Sequence, residues 1–339
     1  MSNNQNKSQK QSFMADILNK ACDQIGAELL MGPKLGASGQ ICFPDNKRVS
    51  FFNCCFDING YGSSLIARNK GLARLVLEKE GIRFPQGAYF SLEMDRYRGL
   101  NLIDLNSQIL AYANNLGFPV MLKGADLHRG TCVYKADNEK ELLTNLSLVW
   151  AATDYLVLEK YLDLRSYRLL VFDGEIVAAY EKVPLSIIGD GKKTVRELID
   201  QLQDNDLKIN LDDSVDKLGG LVRENLNKLN IKMDQVIDNG RRIPLLDTCN
   251  ISTGGQAIDC IKTINKDFVV YVSKIMKILN LRFAGIDILS SGVETGSKNA
   301  YLLEINSSPS LETYGKLGDE QREKIQGLIK KIILEMKKI

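Results

Sequence analysis

Apolar residues recur at helical spacing over 13–30 (FMADILNKACDQIGAELL), and helices are also predicted at 64–79, 101–116, 138–151, 194–203, 214–229 and 265–280. The C-terminal segment DEQREKIQGLIKKIILEMKKI predicts one more, with a lysine-rich end that suits the helix dipole. Short apolar runs predict strands at ICF (41–43), within RVSFFNCCF (48–56), and at PVMLK (119–123), YLVLEK (155–160), FAGIDIL (283–289) and AYLLEIN (300–306). SYRLLVFDG followed by EIVAAYEKVP predicts a hairpin turning at Asp173-Gly174, since glycine accepts positive φ. Ser63 or Ser64 is placed to cap the helix starting there and Gly81 to stop it, with Pro85 supporting a break. The mixture indicates an α/β or α+β protein.

Composition narrows the class. The chain has 339 residues, 44% of them hydrophobic and 25% charged, room for two or three domains at roughly 100–200 residues each. Lys plus Arg total 44 against 42 Asp plus Glu, so bulk electrostatic binding of nucleic acid is disfavoured while a local phosphate pocket is not. No apolar run reaches the roughly 18 residues needed to cross a bilayer. Residues 1–12 are polar, lack the apolar core of a signal peptide, and read as a disordered tail. Seven cysteines without a CxxC pair, and a single histidine (His128), speak against a zinc site or a disulfide framework and for reduced thiols in the cytoplasm. Cys54-Cys55 is expected to pack rather than react. No paired nucleophile motif accompanies His128, whose imidazole reads as a surface group or a phosphate contact.

Five blocks carry candidate chemistry. Asp287 ends one predicted strand; Glu304 and Asn306 lie two apart on the next, hence on one face. If the two strands pair, two carboxylates and an amide oxygen form a hard donor set suited to Mg²⁺, which would neutralise acids embedded in apolar strands. Edge-exposed acids are the other reading. Lys123 terminates the apolar 119–123 strand and opens GADLHRG, either as a point charge for phosphate or as a surface lysine. The strand 155–160 continues into Tyr161 and Leu162, and either serves the core or offers backbone groups to a base. In 188–198 two glycines permit a tight turn and Thr194 with Glu197 forms a capping box. In 250–255, Asn250-Ile-Ser252-Thr253-Gly254-Gly255, small hydroxyls and paired glycines either make a turn or cradle an anion.

The segments VPLSIIGDGKKTVREL (183–198), NISTGG (250–255) and GID…LEINSSPSL (285–311), in this order, resemble the ATP-grasp carboxylate–amine ligases. The likeness is strongest to the ATP-grasp module of cyanophycin synthetase and of bifunctional glutathione synthetase, and runs from about Ser64 to Gly315. It implies an ATP-grasp fold with an N-terminal α/β domain (13–100), a small lid domain (101–162) and a larger C-terminal domain (163–339), the nucleotide lying between the last two. It implies that Asp287, Glu304 and Asn306 hold Mg²⁺, two ions with Mn²⁺ as a substitute, and that Lys123 and Lys70 contact ATP phosphates. Glu159, Lys160, Tyr161 and Leu162 would line the adenine pocket. Arg168 and Lys182 would face the transferred phosphoryl group. Asn250, Ser252, Thr253, Gly254 and Gly255, with Ser308 and Ser310, would lie by the substrates. The partner halves of those bifunctional enzymes are absent from these residues, so a stand-alone module is expected.

The implied activity is ATP-dependent amide or peptide bond formation between amino-acid-like or short-peptide substrates through an acyl phosphate. No nucleic acid or membrane partner is expected; the first ~60 residues match least and could set substrate choice or a homodimer contact. Three departures favour the alternative of a non-catalytic nucleotide- or peptide-binding module. Leu127 and Cys132 stand at lid-loop positions where glycine is expected; Ser166 replaces an acid; and Leu245-Leu246-Asp247-Thr248-Cys249 lacks arginine, with Arg241 and Arg242 just upstream as substitutes.

Overall fold

The computed structural model describes residues 12–32, 38–97, 99, 101–127, 130–202, 209, 211, 217–246, 249, 251 and 254–339. The expected polar tail before Ser12, His128, Asp247, Thr248, Asn250, Ser252 and Thr253 lie outside the described residues.

Helix α1 (Phe13–Ile25) starts where Ser12 Oγ accepts the Ala15 N–H at 3.2 Å, and stops at Gly26 with φ 66°. A four-stranded antiparallel meander comes next, β1 (Glu28–Met31), β2 (Ser38–Cys42), β3 (Arg48–Phe52) and β4 (Cys55–Phe56). The run 48–56 is thus two strands, broken at Asn53 with φ 53°. The helix expected from Ser64 is also two, α2 (Tyr61–Arg68) and α3 (Lys70–Lys79). Neither expected serine caps it: α2 begins after Gly60 without a side-chain cap, while Asn69 caps α3 by accepting the Leu72 N–H at 3.0 Å. Gly81, at φ 77°, closes α3 as expected.

The next unit is a sheet ordered β5-β8-β6-β7, all antiparallel. Its strands are β5 (Gly87–Ser91), β6 (Val120–Gly124), β7 (Val133–Ala136) and β8 (Tyr155–Lys160), with α4 (Leu92–Tyr97), α5 (Leu102–Leu116) and α6 (Glu139–Trp150) between them. Leu105, Ile109, Leu142 and Leu146 from α5 and α6 pack on Val120, Leu122, Leu156 and Leu158. Strand β5 lies ahead of residue 101, so this sheet draws on residues expected in the N-terminal domain.

A five-stranded sheet ordered β13-β10-β9-β14-β15 forms the centre of the remainder. Strands β9 (Arg165–Phe172) and β10 (Glu175–Val183) turn at Asp173-Gly174, φ 48° and 82°, as the dipeptide predicts. An excursion through β11 (Ser186–Ile188), α7 (Val195–Leu202), α8 (Lys217–Lys228) and β12 (Arg242–Pro244) has its own apolar core around Ile187, Ile199, Val222 and Ile243. The Thr194–Glu197 capping box forms, with the Thr194 N–H donating to Glu197 at 2.8 Å and the Glu197 N–H to Thr194 Oγ1 at 3.3 Å. Then come β13 (Gln256–Asp259), α9 (Asp267–Ile278), β14 (Phe283–Ser290), β15 (Tyr301–Asn306), α10 (Glu312–Gly315) and α11 (Asp319–Lys338).

Strand alternation explains where the chemistry sits. On one face Leu169, Val171, Ala284, Ile286 and Ile288 pack against Phe268, Val272 and Ile275 of α9. On the other, Leu170, Phe172, Ala178 and Phe283 join Ile17, Phe51, Ile329 and Ile333 from α1, the meander and α11. Beyond the end of that second core the same face carries Arg168, Asp287 and Glu304, where apolar cover stops. Among the described residues no helix is long and apolar enough to cross a membrane.

Candidate active site

The register puts one row of side chains across three strands: Arg168 on β9 lies opposite Asp287 on β14, which lies opposite Glu304 on β15. Asn306 is two residues along from Glu304, opposite Gly285, and its Nδ2 donates to Glu304 Oε1 at 3.1 Å. The structure therefore brings Asp287, Glu304 and Asn306 together, although Asp287 sits inside an eight-residue strand rather than at its end. Asp287 is 2% exposed.

Two basic side chains reach it. Arg168 donates through Nε to one Asp287 oxygen and through Nη2, at 2.9 Å, to the other, which Lys182 Nζ also reaches at 2.9 Å. Burial alone would raise the Asp287 carboxyl; the Arg168 and Lys182 charges and hydrogen bonds outweigh it and hold it well below the usual carboxylate range. Glu304 Oε2 meets Lys70 Nζ at 3.3 Å, and Glu304 Oε1 is 3.8 Å from Arg168 Nη2. Every carboxylate oxygen of the pair thus has a basic or amide partner from the protein. Among the described residues no three His, Cys, Asp or Glu side chains gather, so any cation here would rest on two acids and the Asn306 amide oxygen.

Lys70 also links this cluster to the neighbouring sheet. Its Nζ donates to the Leu127 carbonyl at 2.7 Å and its N–H to the Ala125 carbonyl at 2.8 Å, both on the loop after Lys123. Leu127 closes over Gly124, where an added Cβ would lie 2.6 Å from Leu127 Cδ1. Lys123 itself is buried and ion-paired to buried Glu159, its diagonal neighbour across β6 and β8. Gly87, opposite Glu159 on β5, leaves room for it: an added Cβ would lie 2.7 Å from Glu159 Cβ.

The remaining candidates are dispersed by role. Lys160 Nζ donates to the Gly117 carbonyl at 2.6 Å, and the Lys160 and Tyr161 N–H groups bond to the Gln86 and Pro119 carbonyls. Tyr161 carries Lys135 Nζ 4.9 Å above its ring, and the Leu162 carbonyl accepts from Leu164. Lys160 and Tyr161 thus spend these backbone donors inside the protein. Ser308 and Ser310 are exposed on either side of buried Pro309, which packs beside Gly285. Gly254 turns the backbone at φ 89°, and Gly255 leads into β13. The GDGKK turn is structural: Asp190 Oδ1 accepts the Lys192 and Lys193 N–H groups at 2.9 and 2.7 Å.

Two residues near the site were not singled out from the sequence. Asn59 clamps the start of β14 to the residue just after β15, bonding Phe283 N–H and carbonyl and the Ser307 carbonyl. Arg74 reaches from α3 to Glu159. Its signal is the i, i+4 repeat of Lys70, Arg74 and Glu78: α3 buries Lys70 and Arg74 while exposing Leu72 and Leu75, the reverse of an ordinary surface helix.

No protein-family model matches the chain. It is similar to the cyanophycin synthetase of Crocosphaera subtropica, 29% identical over 206 residues, 58% of this chain and 24% of that one. It is also similar to the bifunctional glutathione biosynthesis protein of Lactiplantibacillus plantarum, 24% identical over 237 residues, 69% of this chain and 30% of that one. The chain spans only about a quarter to a third of these curated relatives. Among solved structures it is similar to the bifunctional glutathione synthetase of Pasteurella multocida, with TM-score 0.60 at 19% identity over 94% of this chain and 44% of that one. The D-alanine–D-alanine ligase of Bacillus anthracis gives TM-score 0.50 at 17% identity, covering 82% and 70%. As the motifs led us to expect, the chain has the ATP-grasp fold, and its relatives are cyanophycin synthetases and bifunctional glutathione synthetases.

Proposed function

We propose that the chain is an ADP-forming carboxylate–amine ligase that joins small amino-acid-like or short-peptide substrates. The observation that carries this reading is the Arg168–Asp287–Glu304 row, ringed by Lys70 and Lys182 and tied through Lys70 to the loop after Lys123. The donor chemistry fits magnesium: two carboxylates and an amide oxygen are hard ligands, and the few protein donors leave positions for phosphate oxygens. The three basic side chains on the pair, Lys70, Arg168 and Lys182, fit a polyphosphate. Bound Mg-ATP would supply the phosphoryl group that makes a substrate carboxylate reactive toward an amine.

The protein's own part is positioning and charge. Asp287, Glu304 and Asn306 would hold the cation, with two ions and Mn²⁺ substitution as the expectation. Lys70, Lys123, Arg168 and Lys182 would offset phosphate charge as it redistributes. Glu159 to Leu162 would border the base. Ser308, Ser310 and the 250–255 segment would orient the acid and the amine. Closure of the β5–β8 sheet over the cluster would keep water from the activated carboxylate. The test is ADP release that needs Mg²⁺, an acid and an amine together, with mass-spectrometric screening of amino-acid and dipeptide pairs for the coupled product. Glu304→Ala with Asn306→Ala should abolish release; unchanged release would reject the metal assignment.

One observation favours a second reading. Leu127 packs over Gly124 and restricts a loop that must approach phosphates, as a binding module without turnover would tolerate. That module would show nucleotide-dependent thermal stabilisation and no product in the same screen.

A further inference from the structure

Glu159 is a carboxylate 3% exposed, and it has two cationic neighbours. Lys123 Nζ pairs with Oε1, and Arg74 Nη1 lies 3.5 Å from Oε2. The two neighbours are held very differently. Lys123 lies one residue before the end of β6, next to the loop that Lys70 engages. Arg74 is anchored on α3: its Nη2 donates to the Pro85 carbonyl at 2.6 Å and meets Glu78 at 2.9 Å, and its guanidinium lies 5.2 Å from the Phe84 ring centroid. Yet Arg74, itself 3% exposed, has Nε and Nη1 without a hydrogen-bond acceptor among the described residues. Buried donors left unmade are costly, so each one calls for an explanation.

We infer that Arg74 is a positioning residue, the reserve counter-ion of Glu159, which frees Lys123 to move from Glu159 to a nucleotide phosphate. The inference rests on the nucleotide-binding reading of the site. A phosphate that draws Lys123 away strands Glu159 as a buried unpaired carboxylate, a strongly unfavourable state. Closing the 3.5 Å gap to Nη1 turns a loose ion pair into a charge-assisted hydrogen bond. Lys123 then carries its charge to the phosphate without a carboxylate competing for it. Arg74 touches neither phosphate nor substrate in this scheme; it acts through Glu159.

The experiment compares two ligands on the whole chain with Mg²⁺: a non-hydrolysable ATP analogue, which draws on Lys123, and adenosine, which has no phosphate. Dissociation constants come from calorimetry and competition. Arg74→Met should weaken the ATP analogue by about tenfold or more and adenosine by no more than about twofold. Adding Glu159→Gln removes the charge that needs a counter-ion, so the double variant should regain the wild-type ratio of the two affinities to within about threefold. Arg74→Lys, which keeps the charge, should hold that ratio near wild type, and it carries the test if Arg74→Met does not fold. Equal losses for both ligands, or a double variant no better than Arg74→Met, would mean that Arg74 only supports the fold and would overturn the inference while leaving nucleotide binding intact. A wild-type chain that binds neither ligand overturns the nucleotide reading, and this inference with it.

Discussion

Arg168 and Asp287 stand directly opposite each other on β9 and β14, and the guanidinium grips both carboxylate oxygens while Lys182 takes a second bond to one of them. The lowered Asp287 carboxyl makes this a pH-dependent contribution. A folded-state pKa below the unfolded one gives stability that is fully present above the unfolded value, about 3.9, and lost as pH falls through the folded value. Asp287→Asn leaves two partly buried cations short of a partner and should lose about 3 kcal/mol at pH 7. Below about pH 4 the wild type begins to lose the same contribution, so the gap between the two proteins should narrow. Denaturant unfolding at pH 7 and pH 3 measures both; a gap equal at the two pH values would contradict the assignment.

The carboxylate oxygens of Asp287 and Glu304 are partnered by Arg168, Lys182, Lys70 and Asn306. A free divalent cation therefore has to displace lysine and arginine without compensation, whereas one arriving with a polyphosphate brings anions that take those cations over. Mn²⁺, tracked by its paramagnetic resonance signal, should bind the chain at least about tenfold more tightly with ADP present than alone, and by linkage Mn²⁺ should tighten ADP equally. Lys182→Met should go the opposite way for metal alone, uncovering Asp287 and raising nucleotide-free Mn²⁺ affinity. Tight Mn²⁺ binding to the wild type without nucleotide would show that the basic cover is not a barrier.

Gly285 shapes the same cluster from beneath. A Cβ added there would lie 2.7 Å from Pro309 Cβ and 3.1 Å from Arg168 Cδ. Gly285→Ala must shift the Ser308-to-Ser310 loop or Arg168, with a stability loss of about 1–3 kcal/mol and a fall in nucleotide-dependent turnover larger than that loss explains. Gly327→Ala, inside α11 with nothing within 4 Å of the added atom, is the control: it should raise stability by about 0.5–1 kcal/mol and leave turnover unchanged.

How much of the fold was legible in the sequence depends on how local each signal is. The α5 and β8 boundaries fall within one residue of the periodic pattern, because apolar spacing and the flanking Asn101 and Gly117 act within a few residues. The Asp173-Gly174 turn and the Thr194–Glu197 box are equally local. The strands β5 and β13 were not legible: only four or five residues long, they owe their existence to β8 and β10, partners far along the chain. The same reason hides the basic partners of Asp287. Its neighbours Arg168 and Lys182 lie over 100 residues away in sequence, at separations of 119 and 105, beyond the reach of any spacing argument. Arg74 was missed because a charged residue on an amphipathic helix ordinarily faces water, and α3 inverts that rule.

The Cys54-Cys55 pair separates two environments in one dipeptide, against the expectation that both pack. Strand β4 begins at Cys55, whose side chain is exposed, while Cys54 is buried in the core between the meander and α11. Burial pushes the Cys54 thiol up to about 11, and that of Cys22 in the same core up to about 11 as well. A thiol with that pKa is only about a thousandth ionised at pH 8, and the thiolate is the form that reacts. Brief iodoacetamide treatment at pH 8, then peptide mass spectrometry, should label Cys55 and leave Cys54 and Cys22 unmodified until denaturant is added. Rapid labelling of Cys54 in the native chain would mean that the meander does not pack on α1 and α11, and that the core supporting the Arg168–Asp287 end of the sheet is not the one described.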